Sequence, residues 1–288
     1  MKKKIFILFL LPFWLQGQST KPPKDTILKV VRRAPEPWMQ WQVKHVSEWI
    51  DRYNHLRLPD GTTFTDSSRL LFPRDQYMRG LFNAQDARLQ KGAKGLYRLM
   101  VDEFVEQSCG KPPILIGTQP ALYADAPCIV QLGGKTDTLH IYLQKVYAKN
   151  SAAQWVVEGV KLPKMLKTIT PIATKDTIKR HYVEPTAQEV AFLPVLRSLV
   201  DAHSILRIAA DSLQYHKDLL ILESALRDKK LAVEIMLPPT LYLDTQRGWM
   251  VQLNDFIRET ENSGWLITNL YIADNRKQWP KYLQQAKK

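Results

Sequence analysis

The chain has 288 residues, 45% of them hydrophobic, and carries a formal net charge of +13. This composition is ample for a packed core, and the length suggests one or two domains. After the first 15 residues, no segment is long or apolar enough to cross a bilayer, which excludes a membrane-spanning mature protein. The positive charges are scattered, apart from a modest cluster near the end, and indicate a solvated basic surface.

The N-terminus has the layout of a secretory signal peptide. Lys2, Lys3 and Lys4 precede an apolar run at 5–15, and the small residue Gly17 follows. This order is typical of a cleavable export signal. The run is also shorter than the roughly 20 residues of a membrane span, although a membrane anchor is the alternative. We expect a signal peptide at 1–17, a flexible leader at 18–34, and a periplasmic or secreted protein.

Export makes nucleic acid a poor partner for this basic chain. Outside the cytoplasm, a basic surface more readily meets anionic lipid, acidic glycan or the acidic face of another protein. We therefore expect an envelope or secreted protein as the partner, and no nucleic acid.

In the first part of the chain, at 35–165, the residue spacing predicts helices followed by strands. An apolar stripe from Trp38 to Tyr53 recurs mostly at steps of three and four residues, which predicts a helix. Two more helices are predicted, at 75–82 and 95–107. Gly110, Pro112 and Pro113 then end the helical region. The predicted strands are 114–116, 128–132, 138–148 and 154–162, with hairpin turns at 133–137 and 149–152.

A second part of the chain repeats this order of elements. We predict a linker at 166–182, a second domain at 183–275 and a basic tail at 276–288. Thr186 and Glu189 fit the Ser/Thr-x-x-Glu pattern of a capping box, which predicts a helix from there. A further helix is predicted at 212–228. The predicted strands are 231–237, 240–243, 248–258 and 264–272.

The two strand regions superpose without a gap when one is shifted by 110 residues. Residues 139–162 then fall on 249–272, with Trp155 on Trp265 and Leu143 on Leu253. What matches is a long strand, a polar turn, a Trp and an apolar strand. This predicts two tandem units of one architecture. Two unrelated α+β units that share a generic hairpin are the alternative.

The run Gln154-Trp155-Val156-Val157-Glu158-Gly159-Val160 ends the first predicted sheet. Helices followed by such a sheet resemble the NTF2-like (cystatin-like) α+β family, over 35–165 and more loosely over 185–273. The resemblance implies an α+β fold of two units, each with helices packed on a curved antiparallel sheet. Members of that family range from enzymes to binding or assembly modules, so the fold does not settle the function.

The chain has two cysteines, Cys109 and Cys128. An even, minimal count in an exported chain favours a disulfide between them. Two reduced, buried thiols are the alternative. Neither cysteine has a His or Cys nearby at metal-ligand spacing, and no phosphate-binding glycine loop is present. We expect no metal and no cofactor.

Three residues are candidates for catalysis. In enzymes of the NTF2-like family, an Asp and a His or Tyr often face the interior of the cone. Asp51 and His55 lie four residues apart on the first predicted helix, close enough to pair, and Tyr53 lies between them. Such a pair would act as a general base if it faced a pocket. The helix ends before Leu58-Pro59, however, where polar residues normally meet solvent, so we predict no catalytic residue.

Two sets of residues are candidates for binding. The segment 72–82 mixes Arg, Tyr and Phe, which suits an interface hot spot at Arg74, Tyr77 and Arg79. Its alternative is a helix with a polar outer face between two core-facing aromatic residues. A carbohydrate-binding face is a further hypothesis, although no cluster of acidic residues accompanies its tryptophans: Trp249, Trp265 and Trp279.

These observations favour a non-enzymatic exported protein that binds or assembles with a partner protein in the cell envelope. The alternative is a small-ligand binder or an enzyme that uses the hollow of an NTF2-like cone. A deep pocket containing Asp51, His55 or Tyr53 would favour the alternative. A filled cone with an exposed patch of aromatic and Arg residues would favour the assembly protein.

Overall fold

The computed structural model describes residues 41–150, 152–171, 180–200, 205–211, 216–245, 248–272 and Leu283. The predicted signal peptide and leader lie outside these residues, as do residues 172–179 of the linker and all of the basic tail except Leu283. The described part contains six α-helices and seven β-strands, which confirms the predicted α+β class. The helices are α1 Val46–Tyr53, α2 Asp66–Leu71, α3 Arg74–Arg79, α4 Leu96–Cys109, α5 Leu193–Val200 and α6 Lys217–Arg227. The strands are β1 Leu122–Leu132, β2 Lys135–Tyr147, β3 Ala153–Lys161, β4 Leu231–Met236, β5 Thr240–Asp244, β6 Trp249–Phe256 and β7 Gly264–Ile272.

The seven strands form one antiparallel sheet, in which six follow the order β3-β2-β1-β5-β6-β7 and the seventh, β4, lies off this path. Strand β4 also pairs with β1, along Cys128–Leu132, while β5 pairs with Leu122–Asp125. Pro238 and Pro239 separate β4 from β5, since proline has no N–H to donate to a strand partner. Strands from both sides of the predicted linker therefore belong to the same sheet.

The turn between β1 and β2 consists of two glycines. Leu132 pairs directly with Lys135, which leaves Gly133 and Gly134 as the whole loop. Both have positive φ, 56° and 76°. A two-residue turn of this kind needs residues that tolerate the left-handed region, and glycine does so without steric cost. The predicted hairpin at 133–137 is confirmed and is shorter than expected.

The hairpins β2–β3 and β6–β7 have the same register when residue numbers differ by 110. Leu143 pairs with Val157, and Leu253 pairs with Ile267. In both hairpins the register shifts immediately before that Leu. The superposition made from the sequence therefore brings together residues with the same strand partner and the same irregularity.

The central strands β1 and β5 are also equivalent to each other in their pairing. Asp125 pairs with Tyr142, and Tyr242 pairs with Gln252, so β1 corresponds to β5 with a shift of 117 residues, from 125 to 242. The same shift takes Ala124 to Leu241, and these two residues pair with each other. A local twofold axis through this pair would exchange the two halves of the sheet.

The helical region of each half packs on the outer strand of the other half. Val43 accepts a hydrogen bond from the Trp265 backbone N–H at 2.9 Å, and Val183 accepts one from Trp155 at 3.1 Å. Trp155 and Trp265 occupy equivalent positions of β3 and β7. A second contact follows the same pattern in parallel bridges: Phe82 with Ile267, and Ala209 with Val157.

One cluster of buried apolar side chains fills the space between the helices and the sheet, with members from both halves. Phe104 of α4 packs edge-on against Trp249 of β6, with ring centroids 5.7 Å apart. Trp155 of β3 packs edge-on against Phe192 at 5.1 Å. The two predicted units therefore share one sheet and one core. A smaller cluster lies on the opposite face of the sheet: Tyr123, Tyr242, Met250 and Leu283.

Several local predictions need correction. The segment 114–116 is not a strand, and 128–132 is only the end of the longer β1. Thr186 makes no side-chain capping bond, so the predicted capping box is wrong there. A capping box occurs instead at Thr65, where the Thr65 hydroxyl accepts from the Ser68 N–H at 3.2 Å. The usual capping-box pattern has Glu or Gln at the fourth position. Here the fourth residue is Ser68, whose hydroxyl accepts a hydrogen bond from the Thr65 N–H, so a search for the usual pattern misses it.

Candidate functional site

The three candidate catalytic residues have separate partners in the structure. Asp51 pairs with Arg57, with 2.9 Å between Oδ2 and Nε. His55 lies just after α1 in the left-handed region, with φ 57°. Its Nε2 donates to the Phe72 carbonyl oxygen at 2.9 Å, and its ring lies 3.9 Å from that of Phe64. Burial lowers the pKa of His55, so the neutral ring is favoured.

Tyr53 is part of the core. Its hydroxyl donates to Ser108 Oγ at 3.1 Å, and burial raises its pKa. Its ring stacks on Trp49 and contacts Phe104. All three aromatic side chains are at most 1% exposed, so the space into which Tyr53 points is filled.

Of the three candidate binding residues, two hold the local fold together. Arg74 donates to the carbonyl oxygens of Asn54 at 3.2 Å and Ile114 at 3.0 Å, which connects the end of α1 to the segment after α4. The Tyr77 hydroxyl donates to the Arg57 carbonyl at 2.7 Å, and burial raises the pKa of Tyr77 to about 12. Arg79 is a surface residue that pairs with Asp102 at 2.7 Å, and both side chains are about half exposed.

Beside Tyr77 lies a cavity of about 210 Å³, which we call the Tyr77 groove. Its apolar wall comes from the segment before α1, from the end of α2 and from α3, and consists of Trp41, Leu71, Phe72, Tyr77 and Leu81. Arg52 also lines the groove, although it is only 4% exposed. Its guanidinium donates a hydrogen bond to the Trp41 carbonyl oxygen and pairs with the Glu48 carboxylate. The groove is therefore an apolar depression whose buried charge is already neutralised.

The groove is supported by a cluster of aromatic rings. Tyr77 contacts Phe64 and Phe72 edge-on, at centroid distances of 5.4 Å and 6.4 Å. The ring of His55 completes the cluster, 5.5 Å from Tyr77. His55 and Tyr77 thus lie together in the structure, in the aromatic cluster that supports the groove.

Two leucines next to the groove are strongly exposed. Leu70 is 83% exposed and Leu71 is 76% exposed, at the end of α2. On the other side of α3, Arg79, Phe82, Leu89 and Arg98 line a second cavity of about 230 Å³. Helix α3 therefore lies between two depressions, and the leucines add apolar surface on the Tyr77 side.

The face of the sheet opposite the main core carries residues that the sequence did not single out. His140 Nδ1 donates to both oxygens of the Asp125 carboxylate, at 2.9 Å and 3.1 Å. Burial and the Asp125 charge raise the pKa of nearby Tyr142 to about 12. The alternation of side chains along β2 places His140 and Tyr142 on one face. The partner Asp125 was not predictable, because it depends on the register between β1 and β2.

The predicted disulfide is wrong, since Cys109 and Cys128 are both free thiols. Cys128 points from β1 into the core, whereas Cys109 ends α4 within hydrogen-bonding reach of Arg74. Burial raises the pKa of Cys128 to about 12, which disfavours the thiolate that disulfide chemistry requires. The structure corresponds to the alternative of two reduced thiols.

The carbohydrate-binding hypothesis does not fit two of its three tryptophans. Trp249 is 3% exposed and Trp265 is 2% exposed, because both face the core under the helices. Trp279 lies outside the described residues. In the described ranges, no group of three or more His, Cys, Asp and Glu side chains is arranged to hold a metal ion. Over the same ranges, no helix has the length and apolar character of a membrane span.

Comparison of the chain with protein-family models, with curated proteins and with solved structures gives no match.

Proposed function

We propose that this is a non-enzymatic binding protein that acts through protein–protein contacts at the Tyr77 groove. One observation carries the proposal: apolar side chains pack the interior formed by the described residues, while an apolar groove with two exposed leucines lies on the surface. Asp51, His55 and Tyr53 each have a structural partner, and none of them lines a described cavity.

The size of the groove favours a partner side chain over a small molecule. Sites for small ligands typically enclose about 300–1,000 Å³, and the groove holds about 210 Å³. Interfaces obtain much of their binding energy from one large side chain inserted into a well-packed pocket. Exposed leucines beside such a pocket are the kind of apolar surface that a partner covers.

The charge of the chain suggests the chemistry of the partner. Among the described residues near the groove, Arg69, next to Leu70, is exposed without an ion pair, whereas Arg57 pairs with Asp51 and Glu261 lines the groove. The whole chain carries +13, and charge of opposite sign steers association and suppresses wrong partners. The occupant we propose is a protein segment with one large apolar side chain and an acidic residue beside it.

The location and organisation of the protein belong to the same proposal. The signal-like sequence at 1–17 supports a periplasmic or secreted protein that assembles in the cell envelope. The common register of the two hairpins supports two tandem units that have merged into one sheet, each of NTF2-like type. In this arrangement the groove lies in the helical region of the first unit.

The test places a photo-crosslinking amino acid at position 71 of the full chain, in intact envelopes of the source organism. Crosslinked peptides are identified by mass spectrometry, and the protein found is purified for affinity measurement. We expect one defined envelope or secreted protein, crosslinked through an apolar residue with an acidic neighbour. Leu70→Glu should weaken its binding at least tenfold, because it places a charge where apolar surface is to be buried.

A matched control uses an exposed apolar residue elsewhere. Ile257 is 91% exposed, so Ile257→Glu changes the same chemistry without touching the groove, and we expect no effect on binding. Crosslinking at 71 that is no more specific than crosslinking at 257 would exclude the groove as the docking site. Equal loss of affinity in both variants would have the same meaning.

A further inference from the structure

A third cavity, larger than the two beside α3, lies at the outer edge of the sheet, beside β3. It encloses about 370 Å³, which falls in the range of about 300–1,000 Å³ that small-molecule sites occupy. Val156 and Glu158 of β3 form one side. The other side comes from residues of the second half of the chain: Arg180, His181, Arg207 and Asp211. We call it the Glu158 cavity.

The cavity contains a carboxylate, that of Glu158, without a cationic partner among the described residues. Among the described residues, the Glu158 side chain makes no hydrogen bond or ion pair, although it is only partly exposed. Burial accordingly raises its pKa. Any cationic group that enters the cavity therefore stabilises the ionised form of this carboxylate.

The two arginines of the cavity differ in their availability. Arg180 is engaged, since its guanidinium pairs with Asp211 and donates to the Ala209 carbonyl. Within the described part of the chain, the only bond of the Arg207 guanidinium is to His181 Nε2, at 3.3 Å. A guanidinium has five N–H donors in a planar fork that matches a carboxylate. Arg207 therefore offers an anion site in the same cavity as Glu158.

The other half of the sheet shows what occupies the equivalent place. The residue 110 positions after Glu158 is Thr268, at the same irregularity of β7. Arg88 donates to the Thr268 carbonyl oxygen at 2.6 Å and to Asn269 Oδ1 at 3.3 Å. Its guanidinium also pairs with Asp86 and lies 3.7 Å above the Tyr97 ring. The guanidinium of Arg88 therefore occupies this edge of β7.

We infer that the Glu158 cavity binds a free basic amino acid, with the cationic side chain at Glu158 and the carboxylate at Arg207. At β7 the chain supplies the guanidinium itself. At β3 the corresponding position carries a carboxylate and an open cavity, which suits a guanidinium or ammonium group from outside. Because Arg207 is positively charged, the cavity should prefer a ligand that carries both a cationic group and a carboxylate over a ligand that carries only a cationic group.

Titration calorimetry of the full chain with L-arginine and L-lysine tests this site. We expect saturable binding of at least one of them, and no binding of L-glutamate, which lacks the side-chain cation. Glu158→Gln keeps the shape of the side chain and removes its charge, and should weaken binding at least tenfold. Glu106→Gln alters an exposed glutamate on α4 and should leave the affinity unchanged.

Agmatine, which is arginine without its carboxylate, separates the two ends of the site. Arg207→Gln should weaken arginine binding at least tenfold but change agmatine binding less than twofold. Equal losses for both ligands would contradict the assigned orientation. Absence of binding by arginine and lysine at about 10 mM, well above a weak Kd of about 1 mM, would overturn the proposal. The two proposed sites share no residue, so failure of one test leaves the other proposal standing.

Discussion

The two outer strands of the sheet, β3 and β7, have the same pairing and different surroundings. Each is the second strand of a hairpin, and the two hairpins have the same register. Each strand also contacts a segment from the helical region of the other half of the chain. At β7 that segment approaches so closely that only glycine fits at position 264, and Arg88 covers the edge. At β3 the equivalent positions are Gln154 and Glu158, and a cavity remains.

The comparison shows which parts of a repeated architecture are free to diverge. The core positions of both strands hold large apolar side chains, Trp155 and Trp265 among them, because each must fill the space under the helices. Glu158 and Thr268 do not share this constraint, since both are partly exposed and lie outside that core. One edge is closed by the chain, and the other is left open for a ligand.

The largest effect is expected from the equivalent tryptophans. Trp155→Ala and Trp265→Ala should each lower the free energy of unfolding by about 3–5 kcal/mol, because each leaves a large cavity in the core. Urea denaturation followed by circular dichroism should show a single transition in both variants, since the halves share one core. Two transitions, with each variant shifting a different one, would show that the halves are independent units.

An intermediate effect is expected at Gly264. Its φ is 80°, and a Cβ there would lie 2.1 Å from the Val43 carbonyl oxygen. Gly264→Ala should therefore lower the free energy of unfolding by about 2–4 kcal/mol, through backbone strain and displacement of the Val43 strand contact. Chemical denaturation measures the loss.

Two controls separate these causes. Gly248 has φ 92° and nothing within 4 Å of its Cβ position, so Gly248→Ala should cost only about 1 kcal/mol. Gln154 is the β3 equivalent of Gly264, and Gln154→Ala should stay within about 0.5 kcal/mol of the parent chain. If Gly264→Ala and Gly248→Ala cost the same, the close approach of Val43 contributes nothing.

The smallest effect is expected at Arg88. Arg88→Ala removes its bonds to Asp86 and Thr268 and its contact with Tyr97, but the side chain is about half exposed. We therefore expect a loss of about 1 kcal/mol. Arg98→Ala, an exposed arginine of α4, should change the free energy of unfolding by less than about 0.5 kcal/mol. A thermal denaturation series compares them, and no difference between the two variants would mean that the β7 edge is not stabilised by its arginine.

The hairpins were predictable because their signals are local. Alternating apolar residues and short polar turns defined β2, β3, β6 and β7 to within a few residues. Helix α2 was missed, since its capping residues Thr65 and Ser68 depart from the searched pattern. The candidate pair of Asp51 and His55 followed from helical spacing alone. The helix ends at Tyr53, however, so His55 lies beyond it, and the His55 imidazole donates a hydrogen bond to the Phe72 carbonyl oxygen.

The sequence alone determined the class of fold, the repeated hairpins and the alternation that places His140 and Tyr142 on one face. These properties depend on residues close together in the chain, where periodicity and turn chemistry act. Only the tertiary structure decided that the two halves form one sheet, that their helical regions pack across to the opposite outer strands, and that Arg207 meets Glu158 in one cavity. Those outcomes depend on pairings between residues far apart in sequence, such as Ala124 with Leu241. No local pattern specifies such pairings, because they arise from the burial of a shared core.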